Sequence, residues 1–300
     1  MARFNSSILG PIQTVNSTTA TGIFTLNNIL AQMPFNWPMY IGSWTDPDLA
    51  IASYDSVSYT ITEVSNLHGI AFKPDGTKLF IVANQNDKVY EYSLSTAWDL
   101  STVTFTTDFS TATQEAAPCA FFFRPDGTKM YVFGQSQEDV FQYALSTAWD
   151  LSTASYESKK VAITQADNGT GLYFKSDGTS LYACCKTNDR VYQYDMTTAW
   201  DVSTASYASK SISVASQETN PEEIFFNPSG DRMYLVGTTS DSVHQYSLST
   251  AWDLSTASYD SISFSHSSQA DNVRGITFRT DGSKMYLIDL VNDKIFQYST

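Results

Sequence analysis

The sequence contains little positive charge, and this scarcity excludes one large class of function. Its 300 residues include 17 Lys and Arg against 31 Asp and Glu, which gives a formal net charge of −14. A protein that binds nucleic acid needs clustered basic side chains to release the counterions of the phosphates. We therefore expect no nucleic-acid partner.

Cysteine and long apolar runs are also scarce. Cys119, Cys184 and Cys185 make an odd number, and neighbours on one strand point to opposite faces, so no disulfide framework is expected. No apolar run is long enough to span a bilayer, so no membrane partner is expected. The first residues lack the basic-then-apolar pattern of a signal peptide, so export would need another route.

Recognisable catalytic motifs are missing as well. The sequence has only three histidines, without metal-ligand spacing, and no Gly-x-Ser-x-Gly, P-loop or zinc motif. His244 replaces a Tyr or Phe of the other repeat units and is interpreted as an aromatic substitute. Glycosidase chemistry needs two carboxylates about 5–10 Å apart, and nothing singles out such a pair. The prediction is a protein that is not an enzyme and has no cofactor or metal.

What the sequence does contain is an internal repeat. The segment Ala-Trp-Asp recurs at intervals of 51 or 52 residues, at Trp98, Trp149, Trp200 and Trp252. A turn centred on glycine follows the same period, at Gly76, Gly127, Gly178, Gly230 and Gly282. Two markers with one period establish the repeat.

Each unit is predicted to form four strands. In the first unit, residues 69–72 are a short apolar run, and residues 73–77 form a turn with Pro before Gly. Residues 79–82 and 89–94 continue as strands, and a longer link leads to a fourth strand rich in Ser and Thr. Four-stranded units of about 40–50 residues are typical of a β-propeller.

The two ends of the chain predict how the ring closes. The chain stops after the third strand of the fifth unit, whereas residues 48–58 match the outer strand at 253–263 without a preceding blade. Residues 54–61 are therefore predicted to supply the missing outer strand of the last blade. The expected fold is an all-β, five-bladed β-propeller over residues 48–300.

Residues 1–47 do not fit the repeat and are interpreted as an N-terminal arm. They are nearly uncharged and rich in Asn, Ser and Thr, yet they carry apolar side chains at Ile23, Phe24, Leu26, Phe35 and Trp37. The arm would either pack as a flap on one face of the propeller or order on a partner protein.

A resemblance to known proteins favours the second interpretation, in which the arm orders on a partner protein. Residues 20–27, with Trp37 and Pro38, resemble a short N-terminal motif of virion proteins from tailed bacteriophages. The repeat, with Phe-Lys-Pro-Asp-Gly-Thr-Lys and Tyr-Ser-Leu-Ser-Thr-Ala-Trp-Asp, is similar to propeller repeats of phage structural proteins and bacterial surface proteins. This resemblance implies a tail-fibre, adhesion or capsid-decoration protein in the virion. It would be present in several copies and docked on other virion proteins through residues 1–47.

Positions shared by the five units are expected to serve the scaffold. The glycine turn, the link tryptophans and one tyrosine of the third strand belong to this group, so the tryptophans are interpreted as packing residues rather than sugar platforms. That tyrosine occurs at Tyr92, Tyr143, Tyr194, Tyr246 and Tyr298.

The loops before the innermost strands carry amides and carboxylates. Asn66, Asn168, Asn220 and Asn272 recur there, and amides suit sugar hydroxyls, although Asn and Asp also favour turns. Four acids near this mouth of the channel would be the ligands of a Ca²⁺ ion, or simply solvated loop acids. These acids are Glu115, Asp167, Glu218 and Asp271.

One position at the rim of the channel differs in every unit. Its residues are His68, Cys119, Thr170, Glu222 and Arg274. Such asymmetry would let a regular ring bind one ligand, and drift at an exposed position explains it equally well. The predicted ligand-binding set is therefore Asn66, His68, Asp167, Asn168, Asn220, Glu222, Asp271, Asn272 and Arg274.

These observations lead to one functional prediction. The protein is expected to be a non-enzymatic phage virion component whose propeller would bind a host-surface glycan, with avidity from several copies. A glycan-active enzyme on the same scaffold and a purely structural virion protein are the alternatives.

Overall fold

Five antiparallel sheets of four strands each form the described part of the chain, residues 44–166 and 168–300 of a computed structural model. The predicted docking residues Ile23, Phe24, Leu26, Phe35 and Trp37 lie outside these ranges, as does Asp167. The five blades and their all-β character confirm the predicted propeller.

The strands occupy equivalent places in the five blades. The innermost strands are β2 (Leu67–Phe72), β6 (Pro118–Phe123), β10 (Gly169–Phe174), β14 (Pro221–Phe226) and β18 (Val273–Phe278). The second strands are β3 (Lys78–Ala83), β7 (Lys129–Gly134), β11 (Ser180–Cys185), β15 (Arg232–Gly237) and β19 (Lys284–Asp289). The third strands are β4 (Lys88–Leu94), β8 (Asp139–Leu145), β12 (Arg190–Met196), β16 (Ser242–Leu248) and β20 (Lys294–Ser299).

The outer strands complete the blades. They are β1 (Ser53–Thr60), β5 (Val103–Ser110), β9 (Ala154–Ala162), β13 (Ala205–Ser213) and β17 (Ala257–Ser265). Short 3₁₀ helices precede the last four of these strands, at Leu100–Thr102, Leu151–Thr153, Val202–Thr204 and Leu254–Thr256. No helix in residues 44–166 and 168–300 is both long and apolar enough to cross a membrane.

The ring closes as the sequence predicts. Strand β1 pairs antiparallel with β20, from Ser53 opposite Ser299 to Thr60 opposite Lys294, so an N-terminal strand completes the last blade. Asp55 fixes this pairing, because its carboxylate accepts hydrogen bonds from Lys284 Nζ at 2.6 Å and Ser299 Oγ at 2.6 Å. The observed strand starts one residue earlier than the predicted segment 54–61.

The turn glycine and the link tryptophan recur with the same period because the two residues contact each other in the structure. A Cβ atom added at Gly127, where φ is +73°, would lie 2.2 Å from the indole ring of Trp149. The same contact joins each other Gly-Trp pair, with Gly76, Gly178 and Gly230 under Trp98, Trp200 and Trp252. Glycine is needed there both for its left-handed backbone and for the space that the indole takes. The tryptophans are packing residues, as predicted.

In the last blade the equivalent tryptophan is Trp44, which precedes the repeat units in the sequence. Trp44 stacks on Phe225 with ring centroids 6.1 Å apart and meets the edge of Phe278 at the same distance. The backbone carbonyl of Thr45 then covers Gly282, where a Cβ would lie 2.0 Å from that oxygen. Each blade is thus wedged by one indole at the same end of the ring.

Hydrogen bonds between neighbouring blades hold the ring together. Glu91 Oε2 accepts from the Leu151 backbone N–H at 2.9 Å, and Gln142 Oε1 accepts from that of Val202 at 3.0 Å. Gln193 repeats the contact with Leu254 at 3.0 Å. These bonds satisfy buried polar groups and tie the third strand of one blade to the link of the next.

Candidate functional site

The channel of the propeller has two chemically different ends. The innermost strands all begin at one end, where their second residues are the five variable residues predicted from the sequence. At this end, five polar side chains form a cluster that we call the charged rim: His68, Lys186, Glu222, Asn272 and Arg274. The strands finish at the other end, which is lined by aromatic side chains.

Glu222 is the central acid of the charged rim. Its side chain is buried, and its Oε1 atom lies 2.7 Å from Arg274 Nη1 and 3.7 Å from Lys186 Nζ. Burial raises the pKa of the Glu222 carboxyl, although the charges of Arg274 and Lys186 oppose this rise. Its Oε2 atom is buried and has no hydrogen-bond partner among the described residues.

Arg274 is held in place from two sides. Its Nε donates to Asn272 Oδ1 at 2.8 Å while its Nη1 donates to Glu222. Asn272 is itself anchored, because its backbone N–H donates to Asp289 Oδ1 at 2.8 Å. The guanidinium therefore has a fixed orientation at the rim, as a group that binds an oxyanion requires.

His68 completes the cluster as an uncharged base. Only 5% of the residue is exposed. Burial lowers the pKa of its imidazole to about 3, and the nearby charges of Arg274 and Lys186 contribute to this shift. The ring is consequently neutral near pH 7, where its unprotonated nitrogen can accept a hydrogen bond.

The two remaining variable residues, Cys119 and Thr170, contribute no charge to the rim. Burial raises the pKa of the Cys119 thiol to about 12, and Asn84 Nδ2 lies 3.7 Å from its sulfur, so the thiol stays protonated near pH 7. The Thr170 hydroxyl donates to the Pro221 carbonyl at 2.9 Å. Charged chemistry is thus concentrated on one side of the ring.

The predicted amide loops act largely through their backbone. Asn66 and Asn168 have φ values of 62° and 67°, and their carbonyls accept from the N–H groups of Asn84 and Lys186. The Asn220 side chain donates to Thr238 Oγ1 at 2.5 Å. Asp271 is exposed. Of the predicted binding residues, the structure brings together His68, Glu222, Asn272 and Arg274.

The described acids among those proposed for Ca²⁺, which exclude Asp167, are not arranged as a metal site. Glu115 accepts backbone N–H bonds from Ala117 and Ser136, at 2.8 and 2.9 Å. Glu218 does the same for Asn220 and Ser240, at 2.7 and 3.0 Å. Among the described residues, no group of three His, Cys, Asp or Glu side chains is placed to hold a metal ion.

Sequence reasoning missed Lys186. This residue directly follows the second strand of its blade, and its backbone N–H donates to the carbonyl just before the innermost strand. The equivalent residues are Asn84, Gln135, Thr238 and Leu290, which make the same backbone bond in the other blades. The same comparison between units that found the rim position would have revealed this second variable position.

The comparison with protein families identifies the relatives of this chain. A family model described as lactonase, 7-bladed β-propeller, matches residues 56–256. The present chain builds five blades rather than seven. No curated protein matches the sequence.

Several solved structures resemble this chain at low sequence identity. A protein of unknown function from Desulfotomaculum acetoxidans is 12% identical, with a TM-score of 0.48 over 76% of this chain and 64% of that one. A candidate 6-phosphogluconolactonase of Bacteroides uniformis is 17% identical, with a TM-score of 0.48 over 73% and 63% of the two chains. A Lactobacillus plantarum protein is 19% identical, with a TM-score of 0.48 over 69% and 59%. In each case the chain spans less than two thirds of the solved structure.

The family match corrects the functional prediction. The expectations of a non-enzymatic protein, of a tail fibre for host attachment and of a virion location are wrong, because the matching family is one of enzymes and not of phage structural proteins. They failed because the repeat motifs that carried the resemblance are scaffold residues, which report the propeller and not its function. Docking through residues 1–47 stays a prediction.

Proposed function

The chain belongs to the lactonase family of β-propellers, and from this premise we propose that it hydrolyses the ester bond of a lactone at the charged rim. The single observation that carries the assignment to this place is the buried Glu222, paired on Oε1 with Arg274 and unpaired on Oε2. A buried carboxylate with a raised pKa and a free oxygen is suited to accept a proton from water.

The proposed reaction uses the rim residues in distinct roles. Glu222 Oε2 takes a proton from a water molecule, whose oxygen attacks the lactone carbonyl carbon. The guanidinium of Arg274 and the ammonium of Lys186 stabilise the oxyanion that forms on the carbonyl oxygen. The bond between the carbonyl carbon and the ring oxygen then breaks, and Glu222 returns its proton to that oxygen, which gives a hydroxy acid and restores the carboxylate. Neutral His68 orients the water as a hydrogen-bond acceptor.

The charge of the rim favours an anionic lactone. Arg274 and Lys186 lie 2.7 and 3.7 Å from one anion, Glu222, and the charge of a further acid, Glu218, also reaches Glu222, in a protein whose formal net charge is −14. A local positive field within a negative surface attracts a substrate with a phosphate or carboxylate group and repels a cationic one. A phosphorylated sugar lactone fits this pattern better than the free sugar lactone.

Lactone opening releases acid and can be followed directly by pH-stat titration. The purified full chain should open five- and six-membered sugar lactones faster than buffer alone, and the phosphorylated ones with the lower KM. Glu222→Gln should lower kcat by about 10²–10⁴-fold, which is the usual contribution of a positioned general base.

Glu157→Gln is the matched control. Glu157 lies on the outer strand β9, where it pairs with Lys129 at 2.6 Å, so its loss should leave kcat unchanged. The proposal is overturned if no lactone is opened above the buffer rate, or if Glu222→Gln is as active as the unaltered protein.

A further inference from the structure

The end of the channel opposite the charged rim holds a cavity of about 230 Å³. We call it the aromatic cup and define it by the fifth residues of the five innermost strands. These residues are Ala71, Phe122, Tyr173, Phe225 and Thr277, and all of them line the cavity. The position differs between blades, unlike the Phe that follows it in each strand, so it is not fixed by the scaffold.

Three of the five positions form a continuous aromatic wall. Phe122 and Tyr173 meet edge to face, with centroids 5.2 Å apart and an interplanar angle of 67°. Tyr173 and Phe225 repeat this arrangement at 5.3 Å and 68°. In the next two blades this position carries only the small side chains of Thr277 and Ala71, and the ring of Trp44 lines the cavity on the other side of Phe225, with centroids 6.1 Å apart. The cavity is the gap left by two missing rings.

A buried carboxyl group also lines the cavity. Glu223 is 6% exposed and stands where the other innermost strands have glycine or alanine. Its Oε1 atom accepts from the backbone N–H groups of Leu172 at 3.1 Å and Ile224 at 3.0 Å.

The space for this side chain comes from the neighbouring blade. A Cβ atom added at Gly171 would lie 2.7 Å from Glu223 Oε1, so a glycine is required opposite the acid. Burial raises the pKa of the Glu223 carboxyl well above its usual range, which favours its protonated form. In that form the group is a hydrogen-bond donor on the wall of a mostly apolar cavity.

We propose that the aromatic cup binds a small, flat, uncharged aromatic molecule that carries one hydrogen-bond acceptor. Its ring fills the gap above Ala71 and Thr277 and continues the edge-to-face series, while its acceptor receives the proton of Glu223. Aromatic rings prefer this geometry at centroid distances of about 4.5–7 Å.

Size and charge narrow the ligand class. The cavity is smaller than the roughly 300–1,000 Å³ of sites for drug-sized molecules, so one or two fused rings fit. The cation at its edge, Arg279, is paired with Asp281 at 3.2 Å and stacks over Trp98 at 5.9 Å. With that charge already compensated, the cup favours a neutral ligand over an anion. This site is separate from the charged rim and does not depend on the proposed lactonase activity.

Quinoline and naphthalene are matched probes, because they share a shape and differ in one acceptor nitrogen. The full chain would be titrated with each probe at pH 7, and binding would be measured by tryptophan fluorescence and by calorimetry. One quinoline molecule should bind per chain. Naphthalene should bind about tenfold more weakly, as expected for the loss of one buried hydrogen bond worth about 1.4 kcal/mol. Equal affinity for both probes would overturn the role of Glu223, and no quinoline binding would overturn the site.

Two variants test the location of the site. Ala71→Phe and Thr277→Tyr each place in the gap a ring that three other blades already carry at this position, so the scaffold should accept them. Each should weaken quinoline binding at least about tenfold, since the ring occupies the ligand's place. Ala112→Phe adds the same ring in the exposed loop after β5 and should bind like the unaltered protein. Unchanged affinity in either cup variant, with a native circular dichroism spectrum, would overturn the proposal.

Discussion

Removal of the Arg274 charge should destabilise the protein through the acid that it leaves behind. Arg274→Met keeps much of the side-chain volume but deletes the guanidinium 2.7 Å from Glu222 Oε1. Glu222 is 1% exposed, so its carboxylate would lose its nearest compensating charge inside the protein. Breaking a buried ion pair from one side typically costs about 3–5 kcal/mol. Lys186 stays 3.7 Å away, so we expect about 3 kcal/mol.

A double-mutant cycle separates this effect from lost packing. Glu222→Gln removes the buried charge, and Arg274→Met should then cost about 1 kcal/mol or less, because no unpaired anion remains. The four proteins would be compared by urea unfolding followed by circular dichroism at pH 7.

The pH dependence provides a second check with a defined sign. The pKa of Glu222 is raised in the folded state, so the stability linked to its protonated form is present at low pH and is lost as pH rises above its ordinary value. The loss of stability caused by Arg274→Met should therefore be smaller at pH 5 than at pH 7. An equal cost of Arg274→Met in both backgrounds, independent of pH, would show that the loss of stability does not come from the unpaired charge of Glu222.

Three further predictions concern the scaffold and the imidazole at the rim. Gly127→Ala should lower the free energy of unfolding by about 2 kcal/mol or more, because of the left-handed backbone at this position and the contact with Trp149. In a Trp149→Ala background the same substitution should cost much less, and additive effects of the two substitutions in unfolding experiments would contradict this prediction. Trp44→Ala should cost about 2–3 kcal/mol, less than for a fully buried tryptophan because Trp44 is only partly buried, whereas a loss below about 1 kcal/mol in thermal unfolding would show that Trp44 does not stabilise the last blade. His68 has its pKa lowered to about 3, so its stabilisation is present above its ordinary value of 6.5 and is lost as pH falls towards 3. In His68→Gln the free energy of unfolding should fall less steeply with decreasing pH, by up to about 1.4 kcal/mol per pH unit, and an unchanged pH dependence would contradict the assignment.

The repeat makes most of the fold predictable. Residues with identical neighbours in each unit must form identical local structures, so the matched segments at 48–58 and 253–263 were enough to place β1 beside β20. Trp44 escaped prediction because it lies outside the aligned register and reaches the same wedge position from a different backbone path. The contact between Gly127 and Trp149 was also hidden, since a shared period does not by itself reveal proximity.

The candidate site was only partly predictable. Comparison of the five units located His68, Glu222 and Arg274 at one variable position, because broken symmetry is visible in sequence. The same comparison does not reveal charge pairing, which depends on Lys186 arriving from the end of another strand and on the burial of Glu222. Nor does it reveal a reaction, because no linear motif brings these residues together. The aromatic cup was missed for a related reason, since its defining feature is the absence of two rings.

The most direct test of catalysis at the charged rim is a crystal structure with a six-membered sugar lactam, which mimics the lactone but resists hydrolysis. The lactam carbonyl oxygen should lie within hydrogen-bond distance of the Arg274 guanidinium and the Lys186 ammonium. A water molecule should then sit between Glu222 Oε2 and the carbonyl carbon. A lactam bound elsewhere on the propeller, with the rim unchanged, would contradict the account.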